Sequence, residues 1–273
     1  MSKDVLTFEG VRGQGMSLSS DAFAIREEFE KQSGTKRCVV LLSGGLDSTV
    51  LMYSLIAKYE IWPLTISYGQ RHHKEVLAAR NVCEARNHSL LQRWKYLDLS
   101  NLRFILPSAL TGVGEIPKGE YDKETMSQTV VPNRNMIFLA VAAGYAEGLG
   151  ASYVAYAAHS NDRANYPDCR PEFVHSVGET IKLGTGGKVS MLEPFVNKTK
   201  TEIVKLGKSL VVPFRLCWSC YEGSERPCLH CGTCIDRTLA FRGVGFADPA
   251  LTEEEWEVAL KYADGKLSFE VLK

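Results

Sequence analysis

The sequence predicts an α/β fold in which helices cover both faces of an open, mostly parallel sheet, followed by a helical C-terminal region. Short apolar runs typical of buried strands alternate along the chain with segments of helical apolar spacing. Such alternation implies right-handed βαβ crossovers and therefore parallel strands. The first apolar run ends at two glycines, and five of the eight cysteines lie close together towards the C-terminus.

The α/β domain is predicted to span residues 37–212. Its strands are predicted from short apolar runs, at residues 38–43, 61–69, 90–99, 151–158 and 189–195. Its helices are predicted from helical apolar spacing, at residues 48–59, 74–87, 135–150, 171–184 and 200–210. A polar stretch from residue 107 to residue 133 precedes the third helix, which ends at Gly150.

Two further regions flank this domain. Residues 1–36 form an N-terminal extension that contains a charged candidate helix, AFAIREEFEKQSG. Residues 213–273 form the C-terminal region, which holds the crowded cysteines and a candidate helix at residues 253–262. The sequence contains no internal repeat or low-complexity segment.

The composition excludes several classes of protein. Hydrophobic residues make up 45% of the chain and charged residues 23%, which are values of an ordinary globular protein and exclude wholesale disorder. The 32 basic residues balance the 32 acidic ones, so the chain has no overall positive field for nucleic acid. No apolar run approaches the roughly 20 residues of a membrane span. Because the N-terminus also lacks an apolar signal core, we expect a cytoplasmic protein.

The loop after the first strand is a candidate anion site. Residues 43–48 read Ser-Gly-Gly-Leu-Asp-Ser at a predicted strand-to-helix junction. The glycines allow backbone conformations closed to other residues, so successive amides can surround an anion at the positive end of a helix. The hydroxyls of Ser43, Ser48 and Thr49 add donors. The Lys-Ser/Thr ending of a Walker A loop is absent, and the alternative is a glycine turn that merely starts a helix.

The crowded cysteines predict a metal site. In a cytosolic chain, cysteines at this spacing indicate a metal before they indicate disulfides. Cys220, Cys228, Cys231 and Cys234 offer four thiolates, which fit a closed tetrahedral zinc site with a structural role. An iron–sulfur cluster is the main alternative. Cys217 is expected to be packed rather than a ligand, and His230 could replace one thiolate.

Several segments together resemble one enzyme family. Residues 43–48 resemble the PP-loop of the ATP pyrophosphatase superfamily, which has the adenine nucleotide alpha-hydrolase-like fold. The wider pattern resembles the 7-cyano-7-deazaguanine synthase family from Cys38 to about Pro249. The segments that carry this resemblance are SGGLDST (43–49), SYGQRH (67–72), TVVPNRN (129–135), NYPDCRPEF (165–173), KTEIVKLG (200–207) and WSCYEG (218–223).

The resemblance implies an ATP-dependent carbon–nitrogen ligase that binds ATP, Mg²⁺ and Zn²⁺. Its substrates would be 7-carboxy-7-deazaguanine and ammonia, and its product the 7-cyano compound of queuosine biosynthesis. The acid would be adenylated and attacked by ammonia to give an amide, and a second ATP would then activate the amide oxygen for loss as AMP. We expect a homodimer that uses a small-molecule substrate and binds neither a membrane nor a nucleic acid.

The nucleotide site is assigned to the loop and to the end of the second strand. Asp47 is expected to help hold Mg²⁺ on the phosphates; its charge would also favour the helix start, either in addition or as its sole role. Ser48, Arg134 and Lys200 are the other predicted catalytic residues; Arg134 would stabilise phosphate charge and Lys200 would contact a phosphate. The predicted cofactor-binding residues are Leu42, Ser43, Gly44, Gly45, Leu46, Asp47, Ser48, Thr49, Tyr68, Gln70 and Arg71.

The acid is assigned to residues before the third helix and after the fourth strand, namely Asn133, Tyr166, Asp168 and Arg170. Asp168 would accept hydrogen bonds from the guanine-like edge, and Arg170 would hold the carboxylate in a bidentate pair. Alternatively, Asp168 and Arg170 pair with each other, and Asn133 caps a helix. Cys169 is expected to be a buried residue rather than a nucleophile, and His159 and Asp162 are weaker candidates.

Other functions fit parts of the pattern. A relative could stop at the amide, or could transfer the deazaguanine acyl group to another amine such as the N-terminus of a protein partner. A tRNA-thiolating PP-loop enzyme would use the cysteines for sulfur or iron–sulfur chemistry, but the neutral charge disfavours it. A zinc module with a vestigial loop is disfavoured by the intact SGGLDS. The N-terminal extension and the segment after Pro249 depart from the family pattern.

Overall fold

The computed structural model describes residues 35–71, 73–112, 114–117, 127–164 and 166–267. The candidate helix of the N-terminal extension lies outside these residues. The domain boundaries predicted after residues 36 and 212 stay predictions. None of the described helices is both long enough and apolar enough to cross a bilayer.

A five-stranded parallel sheet forms the centre of the described structure and confirms the predicted fold class. The strands lie in the order β3-β2-β1-β4-β5, and β1 pairs in register on both sides, with Val40 opposite Pro63 of β2 and Ala155 of β4. The remaining neighbours also pair in parallel. The strands are β1 (Arg37–Leu41), β2 (Glu60–Ser67), β3 (Lys95–Asp98), β4 (Tyr153–Ala155) and β5 (Ser190–Leu192).

The α-helices follow the predicted alternation with two differences. They are α1 (Leu46–Leu55), α2 (Lys74–Arg86), α3 (His88–Arg93), α4 (Arg134–Leu149), α5 (Pro171–Gly184), α6 (Lys200–Ser209), α7 (Gly232–Gly243) and α8 (Glu253–Ala263). The prediction of a strand throughout residues 90–99 was wrong, because α3 takes its first part and only Lys95–Asp98 is extended. Asn87 caps α3 by accepting from the Leu90 amide at 2.8 Å. Helix α7 was not predicted.

Apolar side chains cover both faces of the sheet. Cys38 and Val40 of β1 belong to a buried cluster shared with α1, α2, α6 and α7. Val39, between them, points to the opposite face, into a cluster shared with α4 and α5. This alternation is what a strand buried on both faces requires. The helices therefore lie on both faces, as the sequence predicted.

The C-terminal region packs against the same core. Phe214 and Phe241 share the buried cluster of α1 and α6. Arg237 of α7 is buried and pairs with Asp248 at 2.5 and 2.9 Å. Its guanidinium also donates to the carbonyl oxygens of Phe214 and Cys217. This one side chain therefore fixes the backbone that leads into the cysteine cluster.

Candidate active site

A cavity of about 230 Å³ lies at the carboxyl ends of β1, β2 and β4. Strand β1 is central in the sheet: β2 pairs along one of its edges and β4 along the other. The strand order therefore changes direction at β1. Such a reversal opens a crevice in which parallel α/β sheets bind ligands. The predicted cofactor-binding residues that line the cavity are Leu42, Ser43, Gly45, Leu46, Asp47, Ser48, Tyr68 and Gln70.

Hydrogen bonds inside the loop hold it in one conformation. The Ser43 and Ser48 hydroxyls lie 3.0 Å apart, and the Ser43 amide donates to the Ser48 hydroxyl at 3.2 Å. The Gly45 amide donates to the Ser43 hydroxyl at 3.1 Å. Thr49 is fully buried and donates to the Gly45 carbonyl at 2.8 Å, so its hydroxyl stabilises the loop from behind. The loop therefore has a defined shape at the positive end of α1, as an anion site requires.

Gly44 must be a glycine because α2 passes directly over it. Its φ is +87°, a conformation that L side chains rarely adopt. A Cβ atom there would lie 2.1 Å from the carbonyl oxygen of Glu75 and 2.6 Å from the amide nitrogen of Ala79. The Gly44 carbonyl accepts from the Trp218 amide at 3.0 Å. The loop is thus clamped between α2 and the segment before the cysteine cluster.

Five charged or titratable side chains meet at one side of the cavity. Lys200, the first residue of α6, lies 2.6 Å from an Asp236 oxygen and 3.6 Å from Asp47 Oδ2. His159 Nε2 lies 3.2 Å from Asp162 and 3.5 Å from Asp47. Asp47 follows β1, Lys200 begins α6 and Asp236 lies in α7, so the fold brings three separate segments together. Lys200, His159, Asp47 and Asp162 line the cavity.

The mutual contacts shift the pKa values of these groups. Burial would raise the pKa of the Asp47 carboxyl, but Lys200 and His159 outweigh it and hold that pKa well below its usual range. Burial would lower the pKa of Lys200, but Asp236 and Asp47 raise it. Burial opposes the charged form of His159 as well, and the carboxylates of Asp162 and Asp47 raise its pKa. Asp47 is therefore ionised and Lys200 is protonated at neutral pH.

Asp47 has the features of a magnesium ligand. Its Oδ1 atom is buried and has no hydrogen-bond partner among the described residues. A buried carboxylate oxygen without a partner is costly unless a cation or a donor compensates it. Carboxylate oxygens are also the ligands that Mg²⁺ prefers next to phosphates. The position of Asp47 beside the loop therefore fits the cation that accompanies ATP.

Aromatic side chains and an arginine form the opposite wall. Arg134 begins α4 and donates to the Tyr68 hydroxyl at 2.9 Å. Burial opposes its charge, but the neighbouring tyrosines and Asp168 raise its pKa, so it stays charged. The Tyr166 hydroxyl lies 2.9 Å from the Thr129 hydroxyl and 3.4 Å from that of Tyr221. Arg134, Tyr68, Tyr166 and Tyr221 all line the cavity.

The other residues predicted for the acid lie beside this wall. Asp168 Oδ2 accepts from the Asn135 amide in the first turn of α4 at 3.2 Å. The Arg170 Nε–H donates to the carbonyl oxygen of Arg163 at 3.1 Å, and the described contacts do not pair Arg170 with Asp168. Asn133 stands at the start of α4 with a φ of +51°, and its side chain makes no capping bond there. The roles of these residues towards the acid stay predictions.

Three further predicted positions have other contacts. Arg71 is exposed and donates to the Gly114 carbonyl at 2.8 Å. Gln70 is buried and accepts from the Tyr68 amide at 2.9 Å, so it shapes the turn after β2. Cys169 lines the cavity, with its sulfur 3.4 Å from the Tyr156 hydroxyl. Burial raises the pKa of the Cys169 thiol to about 12, which disfavours a thiolate nucleophile and agrees with a packed residue.

The four predicted metal ligands converge. The sulfur atoms of Cys220, Cys228, Cys231 and Cys234 all lie within 4.8 Å of one another. Tetrahedral zinc with bonds of about 2.3 Å needs sulfur atoms about 3.8 Å apart, so the arrangement fits zinc with small adjustments. The Cys228 amide donates to Cys220 Sγ and the Cys231 amide to Cys228 Sγ, each at 3.3 Å, which favours thiolates.

Cys217 and His230 lie outside this set. Cys217 is buried in the large core cluster, as expected, and burial raises the pKa of its thiol to about 11. The His230 ring packs against the Tyr262 ring, with centroids 5.7 Å apart.

The cysteine cluster supports one wall of the cavity. The Trp218 indole donates to the Cys220 carbonyl at 2.8 Å, and the Thr233 hydroxyl donates to the Ser219 carbonyl at 2.8 Å. Trp218, Ser219, Tyr221 and Thr233 line the cavity, although they were not predicted as site residues. Trp218, Ser219 and Tyr221 lie in the WSCYEG segment that carries the family resemblance, and Thr233 lies between two of the cysteines. Asp236 was also missed, because nothing in the local sequence shows that it meets Lys200.

Comparisons with known proteins identify the family of the chain. The family model described as "Queuosine biosynthesis protein QueC" matches residues 37–245. The chain is 47% identical over 228 residues to the 7-cyano-7-deazaguanine synthase of Archaeoglobus fulgidus, covering 82% of this chain and 94% of that protein. It is 44% identical over 215 residues to the 7-cyano-7-deazaguanine synthase of Methanoregula boonei, covering 78% of this chain and 97% of that protein. As the motifs predicted, the chain belongs to the QueC family of queuosine biosynthesis proteins.

Proposed function

We propose that this chain is an ATP-dependent carbon–nitrogen ligase that converts 7-carboxy-7-deazaguanine and ammonia to 7-cyano-7-deazaguanine. One observation carries the proposal beyond the family relationship. The phosphate loop, Lys200 and Arg134 face a single cavity at the reversal point of the sheet, where a nucleotide and a second small molecule can meet.

The first half of the reaction forms the amide. A carboxylate oxygen of the acid attacks the α-phosphorus of ATP, and pyrophosphate leaves with the electrons of the broken P–O bond. Ammonia then attacks the acyl carbon, AMP leaves, and a proton is lost. The loop amides and Lys200 hold the departing pyrophosphate, while Arg134 faces the charge that develops at phosphorus. Asp47 would hold Mg²⁺, which would neutralise charge on the phosphates.

The second half forms the nitrile in the same site. The amide oxygen attacks the α-phosphorus of a second ATP, and pyrophosphate leaves again. Loss of the two nitrogen-bound protons and of AMP then leaves the carbon–nitrogen triple bond. The same groups act twice, because each activation is the same displacement at an α-phosphorus.

The acid is proposed to bind towards Tyr166, with Asn133, Asp168 and Arg170 near its base and carboxylate. Support comes from the positions of Tyr166 and the charged Arg134 on the same wall of the cavity. Among the described residues, the Asp168 carboxylate accepts one hydrogen bond, through Oδ2, which leaves its other oxygen as a candidate acceptor for a donor edge.

Zinc is proposed to be structural, since four thiolates leave no open position on the ion. We further propose a homodimer that acts in the cytoplasm. Phe104 and Ile105 support the dimer, because these neighbouring apolar residues are 72% and 71% exposed. Light scattering of the purified chain tests it, and a monomer at micromolar concentration would contradict it.

Mass spectrometry of the products tests the proposed reaction. The protein is incubated with the acid, MgATP and ammonium, with the Asp47→Asn variant as a matched control. We expect the nitrile, with two AMP and two pyrophosphate formed for each product molecule. Amide alone, with one AMP, would replace the proposal by an amide-forming activity. AMP formation that needs a protein amine would replace it by a conjugating activity.

A further inference from the structure

Asp236 contacts Lys200, a predicted catalytic residue, but Asp236 itself has no role in the proposed reaction. It lies on α7, and its Oδ2 atom is 2.6 Å from the Lys200 ammonium. Its Oδ1 atom is 3.4 Å from the Asn161 side-chain amide, and Asn161 in turn accepts from the Lys200 backbone amide at 3.1 Å. The Asp236 and Lys200 side chains are only 15% and 10% exposed. Solvent therefore screens this pair weakly.

Lys200 stands between two carboxylates that it cannot satisfy equally. The contact with Asp236 is a short charge-assisted hydrogen bond, whereas the contact with Asp47 Oδ2 is 3.6 Å long. An ammonium released by Asp236 would move towards Asp47, the other described carboxylate within 4 Å of it. It would then neutralise the oxygen atoms that the nucleotide-bound cation needs, and its own charge would no longer face the phosphates.

We propose that Asp236 is a positioning residue for the ATP site. It holds the Lys200 ammonium away from Asp47, so that Lys200 faces the phosphates and Asp47 stays available to Mg²⁺. This inference rests on the proposed function for the identity of the ligand, ATP. The contacts of Asp236 with Lys200 and Asn161 do not depend on it.

The proposed zinc site lies at the start of the helix that carries Asp236. Cys231 is the residue immediately before α7, and Cys234 is in its first turn, so two proposed metal ligands fix the start of the helix. Asp236 follows two residues after Cys234. Through this helix, the metal site and the phosphate site share one rigid connection, and the zinc site contributes to the placement of a charge at the ATP.

The Asp236→Asn variant tests the proposal by nucleotide binding. The variant keeps the size of the side chain and removes its charge. Binding of α,β-methylene-ATP, which cannot release pyrophosphate, is measured by calorimetry with and without Mg²⁺. We expect the Mg²⁺-dependent affinity to fall by about tenfold, as for the loss of a charge-assisted contact, and the metal-free affinity to change less.

Three controls separate this role from a general structural one. Glu257→Gln removes the same charge from an exposed position on α8 and should bind the nucleotide normally. Asp236→Glu keeps the charge and should retain part of the Mg²⁺ dependence. In a Lys200→Ala background, Asp236→Asn should have no further effect, because the residue acts through Lys200. Zinc content and the midpoint of thermal unfolding identify any variant that misfolds.

Tighter nucleotide binding by Asp236→Asn would overturn the proposal, because it would show that Asp236 merely competes with the phosphates for Lys200. An unchanged affinity of Asp236→Asn for α,β-methylene-ATP would overturn it as well. So would a loss of affinity that is as large in the Lys200→Ala background as in the otherwise unchanged protein. The outcome is independent of the nitrile assay. Normal nucleotide behaviour without nitrile formation would reject the proposed function and leave the role of Asp236 intact.

Discussion

Replacing Gly44 with alanine should damage the phosphate loop more than its backbone angle alone would predict. At a φ of +87°, a side chain costs about 1–2 kcal/mol. The new Cβ atom would also lie 2.1 Å from the Glu75 carbonyl oxygen, which is backbone and cannot rotate away. Helix α2 must therefore shift, and overpacking of this kind costs about 1–3 kcal/mol more. The expected total loss is about 2–5 kcal/mol.

Gly187 provides a matched control. Its φ of +81° is nearly the same, but a Cβ atom there would meet nothing within 4 Å. Gly187→Ala should therefore lose only the cost of the backbone angle, and the difference between the two variants measures the close approach of α2. Chemical denaturation of the zinc-loaded protein gives both free energies of unfolding, and a difference of 2 kcal/mol corresponds to about 4–8 °C in Tm. Equal losses in the two variants would refute the reasoning.

Three further predictions concern the charged residue of the loop, the metal and the base site. Asp47→Asn should lower kcat about 100-fold or more, as measured by pyrophosphate release. Cys231→Ser should lower zinc content and solubility together, by elemental analysis and centrifugation; iron without zinc in the wild type would contradict the structural-zinc assignment. Asp168→Ala should cost roughly 1 kcal/mol of stability and weaken binding of the acid but not of ATP, as judged by denaturation and paired titrations.

The sequence predicted the sheet and the loop well because their signals are local. Buried strands and amphipathic helices leave periodic patterns, and the predicted helix at residues 171–184 has the observed bounds Pro171–Gly184. The prediction was wrong at residues 90–93, where adjacent leucines resembled a strand. The signal for a helix was present in Asn87, whose side chain caps α3, but the apolar run outweighed it.

The charged part of the site was only half predictable. Asp47 and Lys200 stand in recognisable motifs, and both line the cavity. Asp236 reaches Lys200 only through the packing of the C-terminal region, and no spacing within the sequence records such a long-range contact. Asp168 illustrates a different limit. Its motif suggests a ligand, whereas the fold also uses it to accept from the Asn135 amide.

The hydrogen bond from the Trp218 amide to the Gly44 carbonyl has a consequence for how the protein is made. The loop leaves the ribosome long before its partner does. At a synthesis rate of roughly 5–20 residues per second, Trp218 is made on the order of ten seconds after Gly44. During that time a nascent chain can pair its first strands but cannot complete the wall of the cavity that Trp218 lines. A fragment ending before Trp218 would contain the whole loop of residues 43–48 and still lack the amide that donates to its Gly44 carbonyl.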